Sequence, residues 1–313
     1  MFVEQRKKMT ELDLCSNCGI CTYTKNLEFC PQMNIDENLY KNPIPKILKA
    51  YITKSNFDNI LKISQDGGTV STILKYLLEK NIVDCVLTVK LGKKLTPIPV
   101  IISRSEEISE ISGSKYIYTP LLTKIGELLK FSKVCVVGLP CHLRALSKFE
   151  NNLNNKIEIV KIGLLCSHNF KREMYIDISR EYNFNIDDIY RMEIKKNMFR
   201  IYVKNLGIIE KPLKDLEKYV SKCCKQCPEL IPNYCDIAVG SMFTPEKHNI
   251  TFIISNRGLE IFENIINEGM LHVSDVSSEI LDKIYRVAKK KAEKALKYRQ
   301  EFSILISDVL SSK

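Results

Sequence analysis

A chain of 313 residues can bury a substantial core without covalent staples, and its length suits two domains or one domain with a small appendage. It is 45% hydrophobic and 27% charged, with no apolar run long enough to span a bilayer, which excludes an integral membrane helix. Lysine and arginine outnumber aspartate and glutamate 47 to 37; this formal excess of +10 suits an anionic cofactor or an acidic partner protein, whereas the absence of a zinc-finger histidine pair and of an aromatic RNP-like motif argues against nucleic acid.

The amino terminus, "MFVEQRKKMTELDL", has no continuous hydrophobic segment, so neither a signal peptide nor an anchor is expected and a cytoplasmic, reducing setting follows. Twelve cysteines in such a setting point to metal or redox use rather than a disulfide framework. Residues 1–45 are cysteine-dense and weakly periodic, closing on the helix-breaking "KNPIPK". They read as a small ferredoxin-like module. Cys15, Cys18 and Cys21 stand in a C-x2-C-x2-C series, with Gly19 letting the backbone curl, and Cys30–Pro31 follows after eight residues. Three cysteines in series with a remote Cys-Pro suit a [4Fe–4S] cluster; zinc, the main rival, more often takes two separated pairs.

From residue 46 to 182 strand-like and helix-like stretches take turns. "KILKAYITK" reads as a strand, and "GGTVSTILKYLLEK" sets Val70, Ile73, Leu74, Leu77 and Leu78 on one helical stripe. "VDCVLTVKL" is a strand, Leu121–Phe131 a helix, "KVCVVG" a strand, "HLRALSKF" a helix, "IEIVKIGLLC" a strand and "FKREMYIDISREY" a helix. This alternation predicts an α/β fold, a largely parallel or mixed sheet with flanking helices. Residues 183–276 read as an α+β part: a hairpin turning at Asn197 or at Asn205–Gly207, a second cysteine cluster in "KCCKQCPELIPNYCDIAVGS", then one more strand and helix. Residues 277–313 form an amphipathic helical tail with a basic face, of the kind that is usually solvated.

Three groups of residues carry chemistry. Cys141, at the start of a helix in "GLPCHLRAL", and Cys166, ending a strand, both fall at the carboxyl ends of successive strands, where α/β sites gather. With the C-x2-C pair Cys224 and Cys227 they form a second potential cluster set, which no local spacing proves; Cys223 and Cys235 are possible substitutes. Cys85 and Cys135 sit in apolar strands and read as small hydrophobes. Gly67–Gly68 join a strand to a helix, and with Thr69, Ser71 and first-turn amides could hold a pyrophosphate, although by themselves they are explained more simply as plain turn-and-cap chemistry. His142 and His168 each lie close to a sheet-edge cysteine and are candidates for proton handling; His168 and its neighbour Asn169 in "SHNF" are the catalytic candidates.

These motifs, in order, resemble the beta-subunit family of coenzyme F420-reducing hydrogenases and F420H2 dehydrogenases, which is also related to 7-hydroxymethyl chlorophyll a reductase. The resemblance runs from about Cys15 to Leu271 through "CSNCGICTY", "GGTVSTILKYLLEKNIVDCVLTV", "KVCVVGLPCHLRAL", "KIGLLCSHNF" and "CKQCPELIPNYCDIAVGS". It implies an oxidoreductase with FAD on the α/β domain, one or two [4Fe–4S] clusters, coenzyme F420 as substrate and a protein partner for single electrons. On that resemblance Gly67 to Ser71 match the flavin-contacting helix start, Gly138, Leu139 and Pro140 the loop beside the cofactor, and Cys141, Cys166, Cys224 and Cys227 the second cluster. Lys171 and Arg172 after "SHNF" could attract the anionic tail of F420, their bland reading being exposed charge at a helix start. Three positions depart from the pattern: Asp66 puts an anion beside the glycines, Glu229 replaces an aspartate, and Cys235 replaces a small residue.

Overall fold

In this computed structural model residues 2–33, 35–153 and 157–311 are described, with side chains through residue 300. Residues 312 and 313 of the expected tail lie outside them. The cysteine-rich start holds α1 (Phe2–Glu11), α2 (Ile20–Thr24) and α3 (Asn38–Lys41), followed by β1 (Lys49–Ser55), α4 (Asp58–Ile63), α5 (Thr69–Glu79), β2 (Cys85–Leu91) and β3 (Pro97–Ile102). Next come α6 (Ile108–Ile111), α7 (Ile125–Leu128), β4 (Lys133–Gly138), α8 (Pro140–Glu150), β5 (Glu158–Leu164) and α9 (Arg172–Glu181). The remainder comprises β6 (Ile189–Lys195), β7 (Met198–Val203), β8 (Gly207–Pro212), α10 (Lys222–Lys225), β9 (Ile237–Gly240), β10 (Asn249–Ile253), α11 (Asn256–Asn267), β11 (Leu271–Asp275) and α12 (Ser278–Ser311).

Eight strands make one mixed sheet in the order β11-β1-β10-β9-β5-β4-β2-β3. Its centre, β9-β5-β4-β2, is parallel, and both flanks are antiparallel. The sheet draws strands from both the 46–182 and the 183–276 segments. Side chains alternate across it as the pleat requires: Val134 and Val136 of β4 join the core cluster on one face, Cys135 and Val137 the cluster on the other. The first face is covered by α8 and α12 and by Ile20 and Phe29 of the cysteine module, the second by α5 and α11. Cys85 and Cys135 are fully buried among these apolar side chains, as small hydrophobes.

Several elements differ from expectation. The segment Leu121–Phe131 splits into a 3-10 turn, Leu121–Lys124, and the one-turn α7, within which Gly126 packs under the Tyr23 ring. The expected hairpin uses both turns and becomes the three-stranded sheet β6-β7-β8, with positive φ at Lys196, Asn197, Asn205 and Gly207. β3 is an outer strand that carries Pro97 and Pro99, two residues that argue against a strand by propensity and are tolerated at an edge. Finally, the charged α1 lies in a stretch where the sequence shows little periodicity.

Candidate functional site

The parallel strands bring their carboxyl ends to one edge. Past β4 come Leu139, Pro140 and Cys141; past β5, Leu165 and Cys166, whose amides donate to Val239 O and Leu230 O at 2.9 Å each. Pro140 opens α8, where its missing N–H costs nothing. A Cβ on Gly138 would stand 3.1 Å from both His142 and Leu143, so glycine lets α8 fold back against the strand end. Burial pulls His142 down to about 4, leaving a neutral ring. Its Nδ1 accepts the Leu139 amide at 3.3 Å and its Nε2–H donates to Thr119 O at 3.1 Å, so both nitrogens serve to fix the loop.

Cys141, Cys166, Cys224 and Cys227 all line one cavity at this edge, together with Leu139, Pro140, His168 and Asn169. Of the two possible substitutes, Cys223 also lines it, whereas Cys235 is buried elsewhere, donating to Pro232 O at 3.3 Å and packed against Gly163. Cys15, Cys18, Cys21 and Cys30 line an adjoining cavity, and Ser16 lies in the wall of both. All twelve cysteines are free thiols. Among the described residues no three His, Cys, Asp or Glu side chains converge as ligands of a single metal ion would.

Hydrogen-bond donors are aimed at these sulfurs. The Asn17 amide meets Cys15 Sγ at 3.3 Å, the Ile20 amide donates to Cys18, and the Gln32 and Met33 amides donate to Cys30. Around the second set the Asn169 amide donates to Cys224, the Tyr118 hydroxyl lies 3.3 Å from Cys224 Sγ, and Arg144 donates to Cys227. Burial nevertheless pushes the Cys141 thiol well up, with Cys227, Cys166 and Cys224 adding to the effect, and pushes Cys166 up to about 12. Cys30 is likewise raised, to about 11. Cys224 is held low, first by the Cys223 thiol that donates to it. Donors arranged for thiolate in a cavity that penalises thiolate are what a cationic core would reconcile.

Arg144 ties the two sets together. It is 1% exposed, its Nε and Nη2 donate to Pro31 O at 3.1 and 2.9 Å, and its Nη1 is paired with the fully buried Glu229. Glu229 also accepts from the Asn233 amide at 3.2 Å. Asp13 makes a second tie: it pairs with Lys171 Nζ at 2.8 Å and accepts the Ser221 hydroxyl at 2.8 Å and the Lys222 amide at 3.2 Å. Arg172 Nε donates to Lys94 O. The basic residues after "SHNF" therefore have protein partners.

The tail also reaches the site. Ile284, Ala288, Ala292 and Ala295 of α12 are buried, and Lys291 Nζ on the same side of the helix donates to Cys166 O and Glu229 O at 2.6 Å each. Arg299 Nη1 donates to Gln32 O at 3.1 Å and approaches Gln226 Oε1 at 3.3 Å. The expected solvated basic face is thus only part of the helix. The signal in the sequence is a lysine on the apolar stripe 284, 288, 291, 295, as Arg144 interrupts Leu143, Ala145 and Leu146.

The double glycine lies at the same sheet edge, beyond β1. Gly68 has φ +73, and a Cβ on Gly67 would stand 2.7 Å from Thr53 O and from Asn249 Oδ1, so close backbone packing requires both glycines. Thr69 turns inward: its hydroxyl bonds Thr53 Oγ1 at 2.7 Å and its amide donates to Asn249 Oδ1 at 3.2 Å. Ser71 Oγ lies 3.3 Å from Ser112 Oγ. Asp66 is bonded to Ser241, and burial raises its carboxyl despite that bond and the nearby Lys195 and Arg191. Next to it, Ser64 Oγ, Gln65 Nε2 and Arg191 Nε are buried polar atoms without a protein partner. His168 Nε2 and Gln32 Oε1 are two more, at the thiol cavity.

Residues 131–279 match the carboxyl-terminal region, and residues 50–125 the amino-terminal region, of the family described as "Coenzyme F420 hydrogenase/dehydrogenase, beta subunit". The chain is 30% identical over 265 residues to the subunit designated F of the F(420)H(2) dehydrogenase of Methanosarcina mazei, covering 84% of this chain and 73% of that protein. It is 28% identical over 271 residues to the beta subunit of coenzyme F420 hydrogenase from Methanosarcina barkeri, covering 81% and 93%. Among solved structures, a chain of the F420-reducing [NiFe] hydrogenase complex from Methanosarcina barkeri is similar with a TM-score of 0.78 and 27% identity, covering 82% of this chain and 93% of that one.

Proposed function

Because this chain belongs to the coenzyme F420 hydrogenase/dehydrogenase beta-subunit family of oxidoreductases, we propose that it exchanges hydride between coenzyme F420 and bound FAD and relays single electrons through two [4Fe–4S] clusters to a partner protein. The supporting observation is the gathering of the eight proposed ligand thiols, with Cys223 beside them, into two adjoining cavities, each set met by N–H donors. Cys15, Cys18, Cys21 and Cys30 would hold one cluster, and Cys141, Cys166, Cys224 and Cys227 the other.

When bound, a flavin converts a two-electron hydride donor into one-electron steps that iron–sulfur centres accept. The chain's own part is to bind and orient. The Gly67–Gly68 turn and Ser71 at the head of α5 would face the pyrophosphate, with the unpartnered Ser64, Gln65 and Arg191 groups beside them supplying donors that suit an anion. Burial raises the Asp66 carboxyl beside these donors. Gly138, Leu139 and Pro140 would lie between the flavin and the thiols. His168, neutral and with Nε2 free, would handle the proton that accompanies hydride chemistry, and Asn169 would fix Cys224 through its amide. Partner proteins are inferred because the relatives are themselves parts of larger enzymes. Among the described residues no helix is long and apolar enough to cross a membrane.

The test is anaerobic protein reconstituted with iron and sulfide and supplied with FAD. Flavin binding, and bleaching of the visible absorbance on adding reduced F420, are expected. Brown protein that binds no flavin would instead make the chain a cluster-only relay. Protein that takes up neither would overturn the proposal.

A further inference from the structure

We infer that Lys291, carried into the sheet-edge cavity by α12, is the fixed positive charge that sets the redox equilibrium of the group held by Cys141, Cys166, Cys224 and Cys227. The inference rests on the iron–sulfur reading above. Lys291 lines the cavity and anchors to two backbone oxygens, Cys166 O and Glu229 O, at 2.6 Å each. One belongs to a thiol of the set, the other lies two residues beyond Cys227.

The charges around the cavity leave Lys291 distinct. Arg144 also donates to Cys227, but its charge is offset by the buried Glu229 with which it pairs. Arg299 sits farther back, against Gln32 O, Met33 O and Gln226. Among the described residues Lys291 makes no ion pair, so its charge is directed at the cavity rather than spent on a carboxylate. A [4Fe–4S]²⁺ core on four thiolates carries about −2, and the entering electron makes it about −3 with no bond made or broken. In a site with few mobile solvent dipoles a cation at this range favours the more negative state.

The charge also comes from outside the matched segment. α12 begins at Ser278, and the match to the family's carboxyl-terminal region ends at residue 279. Lys291 therefore lies beyond the matched segment, although it completes a site that the segment builds.

The test uses the full chain, reconstituted anaerobically with iron and sulfide and titrated with a chemical reductant while EPR follows each cluster. Lys291→Gln keeps a donor for the carbonyls and removes the charge. It is expected to leave iron and acid-labile sulfide unchanged and to make the second cluster harder to reduce by roughly tenfold, about 59 mV for one electron. Lys291→Arg should restore the wild-type midpoint, and the cluster on Cys15, Cys18, Cys21 and Cys30 should not move. If Lys291→Met fails to assemble, Lys291→Gln still carries the test. A Lys291→Gln midpoint equal to wild type, or one displaced equally in both clusters, would overturn the inference. Wild-type protein that assembles no second cluster gives a different result, and removes the iron–sulfur reading itself.

Discussion

Arg144 is the residue on which the arrangement of the two thiol sets depends most. Its guanidinium is desolvated completely and is tolerable only because Glu229 and Pro31 O receive it. Removing one partner of such a pair leaves a bare charge in the interior. Arg144→Met is expected to destabilise the chain by about 3–5 kcal/mol, read by denaturant unfolding, while replacing Arg144 and Glu229 together by apolar residues should cost clearly less. A larger loss in the double variant would refute this account. At Gly67 the penalty is steric: Gly67→Ala would push a methyl against Thr53 O and the Asn249 amide, a loss of roughly 1–3 kcal/mol by thermal melting, independent of any flavin. Residue chemistry was legible in the sequence where spacing carried it, as at Cys15, Cys18 and Cys21. Tyr118 was not, because its contact with Cys224 joins positions 106 apart and leaves no local trace.

At the scale of elements, period-2 and period-3.6 patterns were enough to find β1, β2, β4, β5, α5 and α9. They failed where another force decided. β3 contains two prolines and is held by its pairing with β2, and β9 is only four residues inside a cysteine-rich stretch whose chemistry draws attention away from its strand character. The small sheet β6-β7-β8 owes part of its cohesion to Glu193, which is buried, takes the Tyr202 hydroxyl at 2.7 Å and pairs with Arg191 at 3.0 Å. Burial opposes ionisation, but Tyr202 and the arginines outweigh it and hold the carboxyl below its ordinary 4.5. A carboxyl lowered on folding contributes stability above its unfolded value and loses it as pH falls through the folded one. Protection of the β6-β7-β8 amides against exchange, taken relative to their intrinsic rates, should therefore fall as pH drops below about 4.5, and Glu193→Gln should flatten that dependence. An unchanged pH profile in the variant would count against the network.

For the whole molecule, the two thiol sets are predicted to load independently in number yet share one wall. Cys30→Ser and Cys141→Ser should each lose about half of the bound iron and abolish a different EPR signal, whereas Cys235→Ser should lose none; iron analysis that finds Cys235 required would reverse the assignment. The α/β layer was legible from alternation alone. The joining of Cys141, Cys166 and Cys224 could be proposed from strand ends and from the family resemblance, but no local spacing carried it, since it follows from strand order in a sheet whose neighbours are far apart in the chain. That sheet ends on one side in β3, with Pro97 and Pro99 at alternate positions, and on the other in the five-residue β11. Proline offers no amide hydrogen, and a short strand offers few. An incoming chain would find little backbone ladder to extend at either margin of this sheet, which leaves side-chain surfaces as the means of contact there.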